Sequence, residues 1–285
     1  MTRGVRHLIA GGFLGLAIFT LHGCGPGMRD MLMIRGSDTM VNLVAWWAED
    51  FMYAYPEHSV AVRGGGSGTG IAALFNRATD ICASSRSIRE EELQRAREMN
   101  IDIQEHVMAL DGIAIAVHPD NPVDELTMSD LRQIWTGAYT NWADLGGPNL
   151  PMTVLSRDSN SGTYVHFQQY VLGENDFART VRFMGASSSL VMELASNVGS
   201  IGYVGMGYVE DEEAVKVLAI KEDEDAEAVR PSIESVQSGA YSIARPLYFY
   251  TEGAPGEVAQ LFIDFCRSEQ GRDVVLETGF VPVAE

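Results

Sequence analysis

The sequence predicts an α/β protein built from mostly parallel strands flanked by helices. Strand-like and helix-like segments alternate along the chain, and residues 113–117 form a continuous apolar run of the kind found in strands buried on both faces. Three strand-like runs also end in Gly/Ser/Thr-rich turns that lead straight into helical patterns. With 285 residues and a hydrophobic fraction of 46%, the chain can build one large lobe or two smaller ones.

Each element follows from its periodicity. In the first helix Met40, Val44, Trp47 and Phe51 recur at spacings of four and three, which marks one apolar face. The further predicted helices are 68–77, 90–99, 129–135, 165–172, 191–196 and a terminal helix with Val258, Leu261, Phe262 and Phe265 on one face. The predicted strands are 31–35, 60–63, 81–83, 113–117, 152–155, 201–204 and 247–250.

Residues 1–24 are expected to be an export signal. Arg3 and Arg6 form a positive start, and 8–19 is an apolar run too short for a membrane span. The segment ends in Leu21-His22-Gly23-Cys24, which resembles a bacterial lipobox with Cys24 as the lipidated residue. The alternative is an ordinary secretory signal with a chance cysteine. Either signal predicts an extracytoplasmic chain, in the periplasm or at the cell surface, and lipidation would tether it to a membrane.

The charge balance excludes one class of partner. The formal net charge is −19, and loss of residues 1–24 would remove two arginines and no acid. Nucleic acid is therefore not an expected partner, because phosphate-backbone binding needs a basic face. A small anion remains compatible, since charges more than about 8 Å away are screened at physiological salt. The acidic run 222–225 is interpreted as a solvated loop.

The three small-residue turns, 36–39, 64–70 and 157–163, point to an anion. A helix start presents unpaired N–H groups and the positive end of its dipole, so hydroxyl residues there form a socket for an oxyanion. Three such sockets predict one shared anion. The third contains Arg157, whose planar guanidinium can hold two oxygens of a phosphate-like group.

Other interpretations of these residues stay open at this point. Ser37 and Thr39 suit plain helix caps, 64–70 suits a flexible loop, and Arg157 suits a surface ion pair. The four tryptophans are interpreted as core residues rather than a stacking platform. They are Trp46, Trp47, Trp135 and Trp142.

An enzyme is the rival class, and its signals are weak. The 64–70 turn has no lysine for a Walker A loop and does not fit G-x-G-x-x-G, and it misses the G-x-S-x-G elbow by its last residue. His166 lies near Thr163, but one histidine beside a hydroxyl is no triad. The remaining histidines lack metal-ligand spacing, so we expect no catalytic site, metal or cofactor.

Nine ordered blocks between residues 31 and 283 resemble the extracytoplasmic phosphate-binding proteins that feed bacterial ABC importers. The blocks are Gly36-Ser37-Asp38-Thr39-Met40-Val41, 64–70, Asp80-Ile81-Cys82-Ala83-Ser84-Ser85-Arg86, Ala109-Leu110-Asp111-Gly112-Ile113-Ala114, 134–137 with Asn141-Trp142, 156–164, Ile201-Gly202-Tyr203-Val204-Gly205, Arg245-Pro246-Leu247-Tyr248 and Gly279-Phe280-Val281-Pro282-Val283.

The resemblance implies a two-lobed periplasmic-binding-protein type 2 fold with a ligand cleft between the lobes. Crossing strands would form a hinge, and the cleft would close on one inorganic phosphate for delivery to an ABC permease. Lobe 1 would comprise 31–112 plus 243–285, and lobe 2 would comprise 113–242. Carried over by position, the anion contacts would be Ser37, Thr39, Ser67, Ser84, Ser85, Arg157, Ser159, Ser161, Gly162 and Thr163. We expect a monomer.

The chain departs from the family's best-known members in one respect. Those members place carboxylates where this sequence has Ser85 and Ser159. A carboxylate in the site accepts a hydrogen bond only from a protonated anion, which sulfate at neutral pH is not. Asp38 or Asp158 is the candidate substitute. Arg86 is either a second cation facing the ligand or the partner of an acid outside the site.

Two further points follow from the sequence. Cys82 and Cys266 are interpreted as buried free thiols, with a disulfide as the alternative. The rival functions are a binding protein for another tetrahedral oxyanion and an anchored phosphate sensor without a transport role.

Overall fold

A computed structural model of the protein describes residues 31–209 and 214–283. The predicted signal segment and its lipobox cysteine, Cys24, lie outside the described residues. Within the described ranges no helix is both long enough and apolar enough to cross a membrane.

The described strands fall close to the positions that the sequence predicts, with additional short strands between them. They are β1 Leu32–Gly36, β2 Val60–Arg63, β3 Ile81–Ser84, β4 Ile103–Val117, β5 Glu125–Thr127, β6 Thr153–Arg157, β7 Arg182–Met184, β8 Ser200–Gly205, β9 Lys216–Val217, β10 Ala219–Lys221 and β11 Ala244–Glu252.

The helices flank the sheet, and each predicted helix is present. They are α1 Val41–Ala54, α2 Ser67–Phe75, α3 Glu90–Glu98, α4 Met128–Trp135, α5 Gly162–Phe167, α6 Ser187–Ser196, α7 Ile233–Gln237, α8 Glu257–Arg267 and α9 Glu269–Glu277. The predicted helix 165–172 is in fact α5 continued by a π-helical turn, Gln168–Leu172.

One continuous sheet runs through the described chain in the order β2-β1-β3-β11-β4-β8-β6-β7, with β9 beside β4 and a separate β5–β10 pair. The outer strands pair in parallel, as β1 does with β2 and β3, and β6 with β7 and β8. The antiparallel pairings described all involve β4 or β11. These two strands therefore join two parallel sheets.

Strand β4 changes its partner midway along its length. Up to Gly112 it pairs with β11, and from Ile113 onward it pairs with β8. We call the part of the sheet on β1–β3 and β11 lobe 1, and the part on β6–β8 lobe 2. The division of the chain at 112/113 and 242/243 stays a prediction, and this change of partner is consistent with it.

Each lobe has its own apolar core. In lobe 1, Trp47 and Phe51 of α1 pack with Phe249 and Phe262, as the helical spacing predicts. The lobe 2 core contains Trp135, Trp142, Phe167 and Tyr203. The core assignment of Trp46 is wrong: its neighbour Trp47 occupies the buried face of α1, and Trp46 is 47% exposed.

The two described cysteines are free and buried. Cys82 lies in β3 and Cys266 in α8, in separate clusters of lobe 1. Burial raises the pKa of both thiols above their usual range. The prediction of two buried free thiols is confirmed.

Candidate functional site

The predicted sockets converge at one edge of the sheet. Parallel strands bring their carboxyl ends to the same edge, where ligands of α/β proteins bind. In lobe 1 the β1–α1 loop lies beside the β3–α3 turn, because Gly36 pairs with Ala83. Gly36 has φ 144°, and an added Cβ would collide with the Ala83 carbonyl, so this close approach requires glycine.

Three serines of lobe 1 form a buried hydroxyl cluster, which we call the serine cluster. Ser37 Oγ donates to Ser85 Oγ at 2.9 Å, and Ser67 Oγ lies 3.3 Å from the same atom. The Ser85 N–H also donates to Ser67 Oγ at 3.0 Å. Ser37 does not cap α1, whose N-cap residue is Met40 and has no side-chain cap hydrogen bond. Its side chain is therefore committed to the cluster rather than to the helix.

Lobe 2 packs directly against these hydroxyls. Gly162, the first residue of α5, lies so close that an added Cβ would be 2.6 Å from Ser85 Oγ and nearer still to Ser67 Oγ. Beside it, Thr39 Oγ1 and Thr163 Oγ1 are 2.8 Å apart across the lobes. The N-termini of α2 and α5 therefore lie next to each other, with the Gly68 N–H of α2 donating to Asn160 O at 3.0 Å.

Arg157, 1% exposed, sits at the end of β6 and is held rigidly. Its Nε donates to Met184 O at 3.2 Å, Nη1 to Ser187 Oγ at 2.6 Å and Nη2 to Gly185 O at 2.9 Å. Its Nη2 also lies 3.2 Å from Asp38 Oδ2. A guanidinium has five N–H groups, and Nη2 already faces both Gly185 O and Asp38 Oδ2, so the second hydrogen of Nη1 is the one that remains for another contact.

Asp38 connects the lobes through several contacts. Besides Arg157, its Oδ2 accepts the Ser187 N–H at 2.7 Å, and its backbone carbonyl accepts the Tyr208 hydroxyl at 2.7 Å. Ser187 begins α6, so the carboxylate lies at a helix N-terminus, where the dipole favours an anion. Sequence reasoning missed Ser187, because its role depends on the distant Asp38.

A second buried ion pair was also missed. Arg245 Nη2 donates to Asp111 Oδ2 at 2.8 Å and Nε donates to the same oxygen at 3.1 Å. Burial raises the pKa of Asp111 and lowers that of Arg245, while their mutual attraction opposes both shifts. Arg245 Nη2 further donates to Thr163 Oγ1 at 2.9 Å. Both residues stand in blocks that the resemblance identified, but neither was assigned a role.

Three predicted site residues have partners of their own, and a fourth is exposed. Arg86 pairs with Glu92 through Nη1 and Nη2 at 2.7 and 2.8 Å, which favours the interpretation of a partner outside the site. Ser84 Oγ donates to the Arg86 carbonyl. Asp158 Oδ1 accepts the Asn160 N–H of its own turn, and Ser159 is exposed. None of the four joins the serine cluster, and their assignment as anion contacts stays a prediction.

Ser161 is a helix cap. As N-cap of α5, its Oγ accepts the N–H groups of Thr163 and Tyr164 at 3.2 and 3.4 Å. The hydroxyl hydrogen stays free to donate, because both of these bonds use it as an acceptor. The cap therefore fixes the start of α5 beside the serine cluster.

The charges around the site cancel in pairs: Arg157 with Asp38, Arg245 with Asp111, and Arg86 with Glu92. Burial acts to raise the pKa of Glu92, but hydrogen bonds from Arg86 and the Arg89 N–H outweigh it and hold the pKa below its usual value. An anion here would be held by hydroxyls, helix dipoles and the remaining Nη1 hydrogen of Arg157. Among the described residues no group of three His, Cys, Asp or Glu is placed to hold a metal ion.

The fold and site define a class: a two-lobed α/β binding protein with a cluster of buried hydroxyl groups where the lobes meet. A family model described as "PBP superfamily domain" matches residues 25–270. The phosphate-binding protein PstS of Pseudomonas aeruginosa is 30% identical over 275 residues, covering 90% of this chain and 84% of its own. PstS of Bacillus subtilis is 32% identical over 255 residues, covering 89% and 81%.

Solved structures agree with this class. One similar structure is a substrate-binding protein, with bound phosphate, assigned to a phosphate ABC transporter of Clostridium perfringens. Its TM-score to this chain is 0.81 and its sequence identity is 28%, and the match covers 90% of this chain and 100% of that one. An ABC-type phosphate transport receptor from Vibrio cholerae matches with a TM-score of 0.70, 28% identity, and coverage of 88% and 100%. The chain belongs to the PBP superfamily and, within it, to the family of the PstS phosphate-binding proteins.

Proposed function

We propose that this protein binds inorganic phosphate outside the cytoplasmic membrane and delivers it to an ABC permease. The observation that carries the proposal is the buried serine cluster of lobe 1, closed by Gly162, with Arg157 fixed nearby at the end of β6. Relatives named phosphate-binding proteins support the choice of anion.

In the proposed binding step, an incoming phosphate replaces the hydrogen bonds among Ser37, Ser67 and Ser85 with bonds to its own oxygens. The remaining Nη1 hydrogen of Arg157 and the hydroxyl hydrogen of Ser161 would supply further donors. Lobe 2 then moves as a body about β4 and β11, which join the two sheets. The step needs neither a metal nor a covalent intermediate.

The proposal includes a lipid anchor. Processing at the Leu21-His22-Gly23-Cys24 motif would leave Cys24 as the lipidated first residue and tether a monomer to the membrane face. Delivery to a permease in the cytoplasmic membrane would then take place over a short distance.

Isothermal titration calorimetry tests the ligand. The protein is titrated with phosphate, sulfate, arsenate, molybdate and a phosphate monoester. We expect the tightest binding for phosphate and none for the ester, because Gly162 packs directly on the serine cluster and leaves no room for a substituent. Tighter binding of molybdate or sulfate would replace the proposal by the rival oxyanion function.

A serine variant tests the site. Ser67→Ala removes one hydroxyl of the cluster, and a hydrogen bond to a charged group contributes about 1.5–3 kcal/mol, or roughly ten- to a hundredfold in affinity. Ser238→Ala is the matched control, because its exposed hydroxyl donates only to carbonyls of its own helix. Equal affinities for the two variants would place the binding site elsewhere.

A further inference from the structure

We propose that the buried Asp111–Arg245 pair is a positioning device for the ligand site, acting through the hydroxyl of Thr163. The inference rests on the proposed phosphate-binding function. It adds two residues that touch no ligand themselves but set how the Thr39–Thr163 hydroxyl pair faces the anion.

The pair is anchored to both lobes. Asp111 lies two residues before Ile113, the point at which β4 stops pairing with β11 and begins to pair with β8. Its Oδ1 accepts a hydrogen bond from the Met206 N–H, on the lobe 2 side, at 3.1 Å. Arg245 lies near the start of β11 and reaches Thr163 of α5 at 2.9 Å. Asp111, Arg245 and Thr163 are all buried. The arrangement therefore exists only when the two lobes are packed together.

The contact constrains a hydroxyl. A threonine Oγ1 carries one hydrogen and two lone pairs. Arg245 Nη2 donates into one lone pair of Thr163 Oγ1, and Thr39 Oγ1 at 2.8 Å shares a second hydrogen bond with it. Of the two hydroxyl hydrogens, one bridges the threonines and the other is free.

The free hydrogen is the one offered to the ligand. Because the guanidinium occupies a lone pair, the pair of threonines has less capacity to accept and faces the ligand as a donor. A charged donor also polarises the hydroxyl that accepts from it, which strengthens the next hydrogen bond in the chain. Asp111 holds the guanidinium fork in the orientation that makes this possible, with both Nε and Nη2 directed at its Oδ2. A deprotonated phosphate oxygen is the partner that such a donor selects.

A double-mutant cycle tests the inference. The ion pair is removed as a unit, by Asp111→Asn with Arg245→Met, since removing one partner would leave a buried charge unpaired. This change is made in the wild type and in the Thr163→Val background, and phosphate affinity is measured by calorimetry for all four proteins. Removal of the exposed Arg77–Glu252 pair, by Arg77→Gln with Glu252→Gln, is the control for loss of an Arg–Glu pair far from the site.

We expect loss of the pair to weaken phosphate binding about tenfold when Thr163 is present and less than twofold in the Thr163→Val background. The same loss in both backgrounds, or no loss in either, would overturn the inference. Failure of the wild type to bind phosphate would instead overturn the proposed function.

A second variant keeps the inference testable if the pair-less protein does not fold by circular dichroism. Arg245→Lys keeps a positive charge beside Asp111, but a compact ammonium cannot reproduce the planar fork that serves Asp111 and Thr163 together. We expect Arg245→Lys to weaken phosphate binding more when Thr163 is present than in the Thr163→Val background. An equal effect on affinity in both backgrounds would overturn the inference.

Discussion

Asp38 and Arg157 come from opposite lobes, and their Oδ2 and Nη2 atoms are 3.2 Å apart. The guanidinium proposed to hold the anion thus has its counter-ion on the other lobe. Since Ser187 and Tyr208 of lobe 2 also donate to Asp38, closure of the lobes assembles the whole network at once. Arg157 would lack this counter-ion whenever the lobes part.

Arg157→Ala is expected to lower phosphate affinity by two decades or more. Losing a buried charged partner costs about 3–5 kcal/mol, and about 1.4 kcal/mol corresponds to a factor of ten. The measurement is calorimetry, with thermal unfolding of the free protein as a check on folding. Arg182→Ala, which removes an exposed ion pair with Glu193 in the same lobe, is the control. Unchanged affinity of the Arg157 variant would refute its role.

Gly162→Ala is expected to abolish tight binding while leaving each lobe folded. The added Cβ would meet Ser67 and Ser85 of the serine cluster at less than contact distance, so the lobes could not close fully. Small-angle scattering would report a more open protein in the presence of phosphate. Gly256→Ala is the matched control, since an added Cβ there meets nothing within 4 Å. Wild-type affinity in the Gly162 variant would mean that the site does not lie between α5 and the serine cluster.

His166 predicts how stability depends on pH. Burial, assisted by the charge of Arg245, lowers the pKa of His166 to about 3, and its Nε2 has no hydrogen-bond partner among the described residues. In the unfolded chain the same ring takes up a proton below pH of about 6.5. Unfolding therefore binds a proton between these values, so this contribution to stability is complete above about pH 6.5 and is lost as pH falls toward 3.

The free energy of unfolding should thus fall by up to about 1.4 kcal/mol per pH unit from this residue. Urea titrations at several pH values between 4 and 7 measure it. His166→Gln should flatten the profile in that window. If the free energy of unfolding changed with pH in the same way in the wild type and in His166→Gln, this pH dependence would not come from His166.

Local pattern was sufficient for most of the elements. Strand β2 spans Val60–Arg63 as predicted, and α1 buries the face that its spacing marks. The N-terminal part of β4 was missed because it carries Glu105 and His106 on a partly exposed surface and so lacks a continuous apolar run. Helix α9 was missed for a similar reason, since most of its residues are polar and only Val274 and Val275 supply large buried side chains.

The site was predictable only in part. Its turns were identifiable, because small hydroxyl residues before a helix have a known preference for anions. The ion pairs were not, since Arg245 and Asp111 are 134 residues apart and meet only through the pairing of β4 with β11. The contact of Asp38 with Ser187, 149 residues away, has the same origin. A single sequence does not encode such pairings in any local pattern.

Cys24→Ala is expected to abolish lipidation, because the thiol is the acceptor of the acyl group. Mass spectrometry of the protein purified from membranes, together with its release into the soluble fraction, measures the effect. Cys82→Ala is the control, since that thiol is buried in β3. An acyl group retained by the Cys24 variant would rule out the lipobox interpretation and leave the ordinary secretory signal.

The last prediction concerns selectivity, for which Asp38 and Asp158 were the two candidate carboxylates. The Asp158 carboxylate accepts the Asn160 N–H within its own turn. Asp38 instead lies between Ser37 and Thr39 in the sequence, and its Oδ2 is 3.2 Å from Arg157 Nη2. We therefore expect Asp38→Asn to erode the preference for phosphate over sulfate and Asp158→Asn, its matched control, to leave it intact.

The physical reason is the proton. Hydrogen phosphate can donate to a carboxylate, whereas sulfate meets it as a like charge with no hydrogen bond between them, which costs several kcal/mol. Asparagine at position 38 would still accept a hydrogen bond but would no longer repel sulfate. Competition calorimetry with both anions on the three proteins gives the ratio of affinities directly. A wild type that prefers phosphate, combined with an unaltered ratio in the Asp38 variant, would mean that the discriminating acceptor is another group.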